Sequence, residues 1–230
     1  MLEFELAKKN CWAEQIGLSN QPMPLVILLS GDFEEESFSE IREMLIKQIN
    51  QGNCQPFLIA GFGHIDWDRD YSPWYLEGSK DRIFEGKADE TIDFMANILL
   101  PELKQRFPLN GEVYPVGYSL GGLTAIYAHC SIGFTGCGSC SGALWFPGWL
   151  DYVQEHLPTG KVYLSLGGKE DKTKDSLMCK VGITTQQTKE LIAKSAKVTY
   201  VKEPGGHFKE VPQRIGRAIW WLLNPKNGTE

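Results

Sequence analysis

Short apolar runs recur along this chain, and stretches with helical spacing separate most of them. This alternation limits the fold more than any other feature of the sequence. Pro24 to Ser30 (PLVILLS), PFLIAG ending at Gly61, EVYPVGY ending at Tyr118, Gly133 to Ser141, KVYLSLGG and KVTYVKE all read as strands. Most are rich in Val, Ile and Leu and lack polar alternation, the pattern of strands buried on both faces. Between them lie helices near Phe38 to Ile49, Asp89 to Phe107, Leu120 to Cys130 and Thr185 to Ala196, and a last helix ends at AIWWLL. In the first helix Phe38, Ile41, Leu45 and Ile49 fall at spacings of three and four, so they share one face. Strands alternating with helices predict an α/β three-layer sandwich, a mostly parallel central sheet with helices on both faces. Ligands of such sheets sit outside the carboxyl ends of the strands.

At 230 residues, 42% hydrophobic and 23% charged, the chain reads as one domain spanning 1–230 with a substantial core. A formal net charge of −6 argues against nucleic acid as a partner. The N-terminus MLEFELAKKNCW has charges where a signal peptide needs an apolar core, and no apolar run is long enough to span a bilayer. No membrane association and a cytoplasmic location are therefore expected. The six cysteines are spaced irregularly, which favours free thiols over a disulfide framework. Cys137-Gly-Ser-Cys140 fits C-x-x-C, but no second Cys or His pair completes a zinc set, so no metal is expected.

Gly117-Tyr118-Ser119-Leu120-Gly121 matches G-x-S-x-G and sits where a strand runs into a helix. Small flanking residues allow a tight strand-to-helix turn that lifts the serine hydroxyl above the sheet edge, where the helix N-terminus faces developing negative charge. Ser119 is the expected nucleophile. Of four histidines, His64, His129 and His156 read as surface or packing residues. His207 stands just past the last strand in Pro204-Gly205-Gly206-His207-Phe208, where two glycines free the backbone to turn the imidazole toward the serine. His207 also follows the serine and any acid in the chain order Ser, acid, His. The acid should follow KVYLSLGG, where Glu170 and Asp171 are adjacent; Glu170 is preferred for its position three residues beyond Gly167. Either carboxylate would hold one imidazole tautomer and stabilise the imidazolium. The Leu120 amide is one expected oxyanion donor, and the Asp32 amide, in the loop after the first buried strand, is the other.

The aromatic and charged stretch His64 to Trp74 suits a pocket wall. Within it Arg69 either pairs with Asp68 or Asp70 or binds a substrate carboxylate, and Trp74 is a candidate binding residue. Trp145, with Phe146 and Trp149, is a second candidate apolar wall.

On four stretches the sequence resembles the putative-esterase branch of the α/β-hydrolases, the group with esterase D-like, feruloyl-esterase-like and enterochelin-esterase-like enzymes. These are Gly117 to Gly122, Arg69 to Trp74, Leu166 to Thr173 and Gly205 to His207, and the resemblance runs from about Pro24 to Trp221. It implies hydrolysis of a small-molecule carboxylic ester through an acyl-serine, without a cofactor, on Ser119, His207 and Glu170. Two rivals share these motifs: acyl transfer to an alcohol acceptor, and a non-catalytic binding protein on the same fold. The ester, its acyl length and the oligomeric state are not specified by the sequence.

Overall fold

The computed structural model describes residues 1–31, 35–79 and 81–227, with the backbone alone at 35. Ten strands occur among these residues. β1 (Leu2–Leu6) and β2 (Lys9–Ile16) form an antiparallel hairpin at one edge, and β3 (Met23–Leu29) and β4 (Phe57–Phe62) follow. β5 (Tyr75–Glu77) and β6 (Ile83–Glu85) pair apart as a small hairpin. β7 (Leu109–Tyr118), β8 (Gly136–Cys140), β9 (Lys161–Gly167) and β10 (Lys197–Glu203) complete an eight-stranded sheet of order β1-β2-β4-β3-β7-β8-β9-β10. From β4 to β10 the neighbours are parallel; β2 joins β4 antiparallel.

Side chains alternate across the sheet, so each strand feeds two cores. Leu25, Ile27 and Leu29 of β3 join one buried cluster, and Val26 and Leu28 join the other. The helices covering these faces are α1 (Glu35–Asn50), α2 (Trp67–Asp70), α3 (Ala88–Asp93), α4 (Leu100–Arg106), α5 (Leu120–Ile132), α6 (Trp149–Glu155), α7 (Val181–Ile192) and α8 (Val211–Leu223). A π-helical turn at Phe94–Leu99 joins α3 to α4, so the expected helix from Asp89 to Phe107 is continuous but not uniformly α. The helix expected at Thr185 to Ala196 starts four residues earlier, at Val181.

Strand alternation also disposes of the C-x-x-C pattern. Cys137 and Cys140 are three residues apart on β8, so they point to opposite faces and enter different clusters. Neither can meet the other, and both are free buried thiols. No helix of the described residues is long and apolar enough to cross a membrane.

Candidate active site

The parallel strands end along one edge, and the residues expected to act together gather there. β7 leads directly into Ser119, whose φ of 56° and ψ of −121° lie where a side chain is strained. The turn is held from both sides: the Ser119 amide donates to the Cys140 carbonyl at 3.1 Å, and its carbonyl accepts from Leu123 and Ala143 at 3.0 and 2.9 Å. The two glycines of the motif are required by close approach. A methyl at Gly117 would overlap the Gly121 carbonyl, and one at Gly121 would overlap the Leu29 carbonyl. Leu120 opens α5, so its amide is one of the first four that find no acceptor inside a helix.

His207 reaches the edge from the loop after β10. Its Nε2 lies 3.1 Å from Ser119 Oγ, and its Nδ1 lies 2.6 Å from Glu170 Oε2. The tautomer with the proton on Nδ1 donates to the carboxylate and leaves Nε2 free to accept from the serine hydroxyl. The other three histidines are tied elsewhere. His64 joins the N-terminal hairpin through Lys8 O at 3.0 Å, His129 is buried against Thr159 O at 2.8 Å, and His156 stacks on Tyr152 at 4.2 Å.

Of the two adjacent carboxylates, Glu170 is the one that touches the imidazole. Its side chain is 4% exposed, and Oε1 accepts from Ser141 Oγ at 2.8 Å, the Gly167 amide at 2.6 Å and Arg214 Nη1 at 3.0 Å. Burial alone would raise this carboxyl. Hydrogen bonds from His207 and Ser141, the His207 charge and the Gly167 amide outweigh it and hold the group below the ordinary glutamate value. Asp171 is exposed and turns toward Gly182 instead.

Arg214, which sequence reasoning missed, is fully buried beneath this assembly. Its Nη1 donates to Glu170, to Ser141 Oγ at 2.8 Å and to Tyr118 OH at 3.0 Å, and its Nη2 donates to the Pro204 and Gly206 carbonyls at 2.9 and 3.0 Å. The Tyr118 hydroxyl in turn donates to the His207 carbonyl at 2.5 Å. One guanidinium thus ties together the residue before the serine, the acid and the loop that carries the imidazole. The only hint in the sequence was an arginine at a core position of the last helix, beside Ile215.

A cavity of about 660 Å³ opens over Ser119 and His207. Of the aromatic candidates, Trp145 lines it and Trp74 does not. Trp74 donates through Nε1 to Pro147 O at 2.8 Å and packs edge-on against Phe146 and Tyr127. Arg69 also stays outside the cavity, bound to Asp70 and, at 2.7 Å, to Glu90. The internal ion pair is the alternative realised. The arginine that does face the cavity is Arg82, gripped by both oxygens of Asp68 and lying 4.7 Å over the Phe84 ring. The Asp32 oxyanion donor lies outside the described residues. Among the described residues, no cluster of three His, Cys, Asp or Glu is arranged for a metal ion.

Residues 17–212 match the protein family described as "Putative esterase". The chain is a member of that family. This esterase is a carboxylic-ester hydrolase with the α/β-hydrolase fold. No curated protein sequence matches it. Among solved structures it is similar to siderophore hydrolase EstB from Aspergillus nidulans, at 16% identity and a TM-score of 0.72, over 97% of this chain and 94% of that one. It is similar also to an IroE-like serine hydrolase from Shewanella oneidensis, at 18% identity and a TM-score of 0.76, over 94% and 75% of the two chains. The enterobactin esterase FES from Shigella flexneri matches at 17% identity and a TM-score of 0.70, over 93% of this chain and 54% of that one.

Proposed function

We propose that this esterase works through an acyl-serine intermediate, with Ser119 as nucleophile, His207 as general base and Glu170 as the acid that orients it. The 3.1 Å and 2.6 Å contacts on either side of the His207 ring, converging on a serine held at positive φ, carry this reading. In the first half-reaction His207 Nε2 takes the Ser119 proton as Oγ bonds to the ester carbonyl carbon. The Leu120 amide, at the positive end of α5, donates to the oxyanion, with a second donor assigned to the Asp32 amide. Collapse breaks the carbon–oxygen bond of the ester, and His207 returns the proton to the departing alcohol. Water then repeats the sequence in the second half-reaction and releases the acid.

The contacts of Glu170 to His207 and Arg214 keep its carboxylate ionised through both halves, so it stabilises the imidazolium without itself being protonated. The whole cycle runs on one sheet edge, which supports treating residues 1–230 as a single catalytic domain. The structural neighbours named for siderophore and enterobactin hydrolysis make a small-molecule ester the substrate class to test first. Ser119→Ala should lower kcat by at least about 10⁴-fold while leaving the melting temperature within a few degrees of wild type. A variant that keeps more than a tenth of wild-type turnover would remove the serine from the mechanism.

A further inference from the structure

The cavity over Ser119 has two unlike parts. One part descends between the first turns of α1 and α8 and is lined by Leu28, Phe38, Ile41, Val211, Pro212 and Ile215, with the ring of Tyr118 beside them. Leu28, Phe38, Ile41 and Ile215 are each under 5% exposed, so the cleft is closed at its floor by apolar side chains, with Ser30 and Ser37 as the polar residues of its wall. The other part, toward α2, β6 and α7, sets Arg82 and Thr173 among the rings of Trp67 and Trp145 and the side chains of Met178 and Val181. Its guanidinium is already neutralised by both oxygens of Asp68. The remaining carboxylate in the lining, Glu170, is negative, and the chain as a whole carries −6. Nothing among the described lining residues offers an unpaired positive charge to an anionic substrate.

Resting on the acyl-serine reading, we propose that the cleft between α1 and α8 is the acyl pocket. The enzyme then prefers esters of uncharged, unbranched acids of about four to eight carbons, matched to the ~6 Å of helix rise from Val211 to Ile215 and a short reach beyond. A floor closed by buried side chains suits the half of the ester that stays bonded to Ser119, because the alcohol must leave first, through the open mouth. The mouth is marked by Phe208, 89% exposed beside His207. Each methylene that enters a preformed apolar cleft raises kcat/KM by up to about fourfold, until the floor stops it.

The test is a series of p-nitrophenyl esters from acetate to dodecanoate, run beside alkyl acetates of rising alcohol length, a succinate monoester and enterobactin. Expected is a rise of at least about thirtyfold in kcat/KM from acetate to the optimum and a fall beyond octanoate, with the alcohol series flat within about threefold. The charged succinate ester should trail butyrate by tenfold or more. Val211→Trp, which fills the cleft from its half-buried rim, should lower the hexanoate-to-acetate ratio of kcat/KM at least tenfold; a general folding defect would lower both terms and leave the ratio alone. Preference for acetate, for the anionic ester or for enterobactin over hexanoate overturns the acyl pocket, as does a chain-length optimum that follows the alcohol. Those results leave Ser119 chemistry intact, provided Ser119→Ala abolishes the turnover seen. If no ester is cleaved at all, the acyl-serine reading falls and the pocket assignment goes with it.

Discussion

Replacing Arg214 with methionine tests the support beneath the site. The substitution keeps the length and apolar stem of the side chain but removes five donated hydrogen bonds. Two consequences follow from the structure. Glu170, with 4% of its side chain exposed, keeps its charge but loses its buried cationic partner. The Pro204 and Gly206 carbonyls lose the donor that holds the loop carrying His207. Removing one member of a buried ion pair costs about 3–5 kcal/mol, because the remaining charge stays desolvated. In a chain of this size that corresponds to a drop of roughly 6–20 °C in melting temperature. Turnover should fall by about 10- to 100-fold, the usual consequence of a reacting group displaced by around an ångström. Arg214→Lys restores a charge near Glu170, but one ammonium cannot span acceptors divided between Nη1 and Nη2, so it should land between wild type and methionine. The assay pairs scanning calorimetry with initial rates on one ester. A methionine variant melting within about 2 °C of wild type, with full turnover, would refute the idea that this arginine organises the site.

Glu170→Gln should lower kcat by about 10²–10⁴-fold at unchanged fold, and Asp171→Asn should stay within about threefold, because only the first contacts the imidazole. Gly121→Ala drives a methyl against the Leu29 carbonyl and should lower the melting temperature by more than about 4 °C by fluorimetry; a neutral result would mean that the elbow relaxes freely. His129 is buried, and burial pulls its pKa in the fold below the ordinary histidine value. The unfolded chain therefore binds a proton that the folded chain does not, and stability should decline as pH falls through and below about 6.5. Urea titrations of wild type and His129→Gln between pH 7.5 and 5.5 should show that decline flattened in the variant; parallel curves would rule out His129 as its source.

The parallel strands and the helices between them were legible because their apolar runs are long and uninterrupted, as PLVILLS and EVYPVGY show. The N-terminal hairpin was not read, although Leu2-Glu-Phe-Glu-Leu6 alternates with a period of two. Its turn uses Ala7 and Lys8 at positive φ, without the glycine or asparagine that normally mark such turns. β5 and β6 escaped notice for another reason: at three residues each they are too short to show a period. Ser119, Glu170 and His207 were legible because each stands at the end of a strand, beside glycines whose spacing reports the turn. Ser141 and Arg214 were not, since each acts through hydrogen bonds between elements distant in the chain. Arg69 and Arg82 show the limit clearly. They are thirteen residues apart in one charged segment, and only the packing of α2 against β6 decides which of them faces the cavity.

The most direct test of the catalytic assignment is covalent capture. A fluorophosphonate carrying an apolar alkyl tail, incubated with the folded protein and followed by intact mass and peptide mapping, should add one phosphonyl group per chain, on the peptide bearing Ser119. Adduct formation should disappear in Ser119→Ala and slow at least tenfold in His207→Ala. Stoichiometric modification at any other serine, or none on a protein that still hydrolyses ester, would contradict the account.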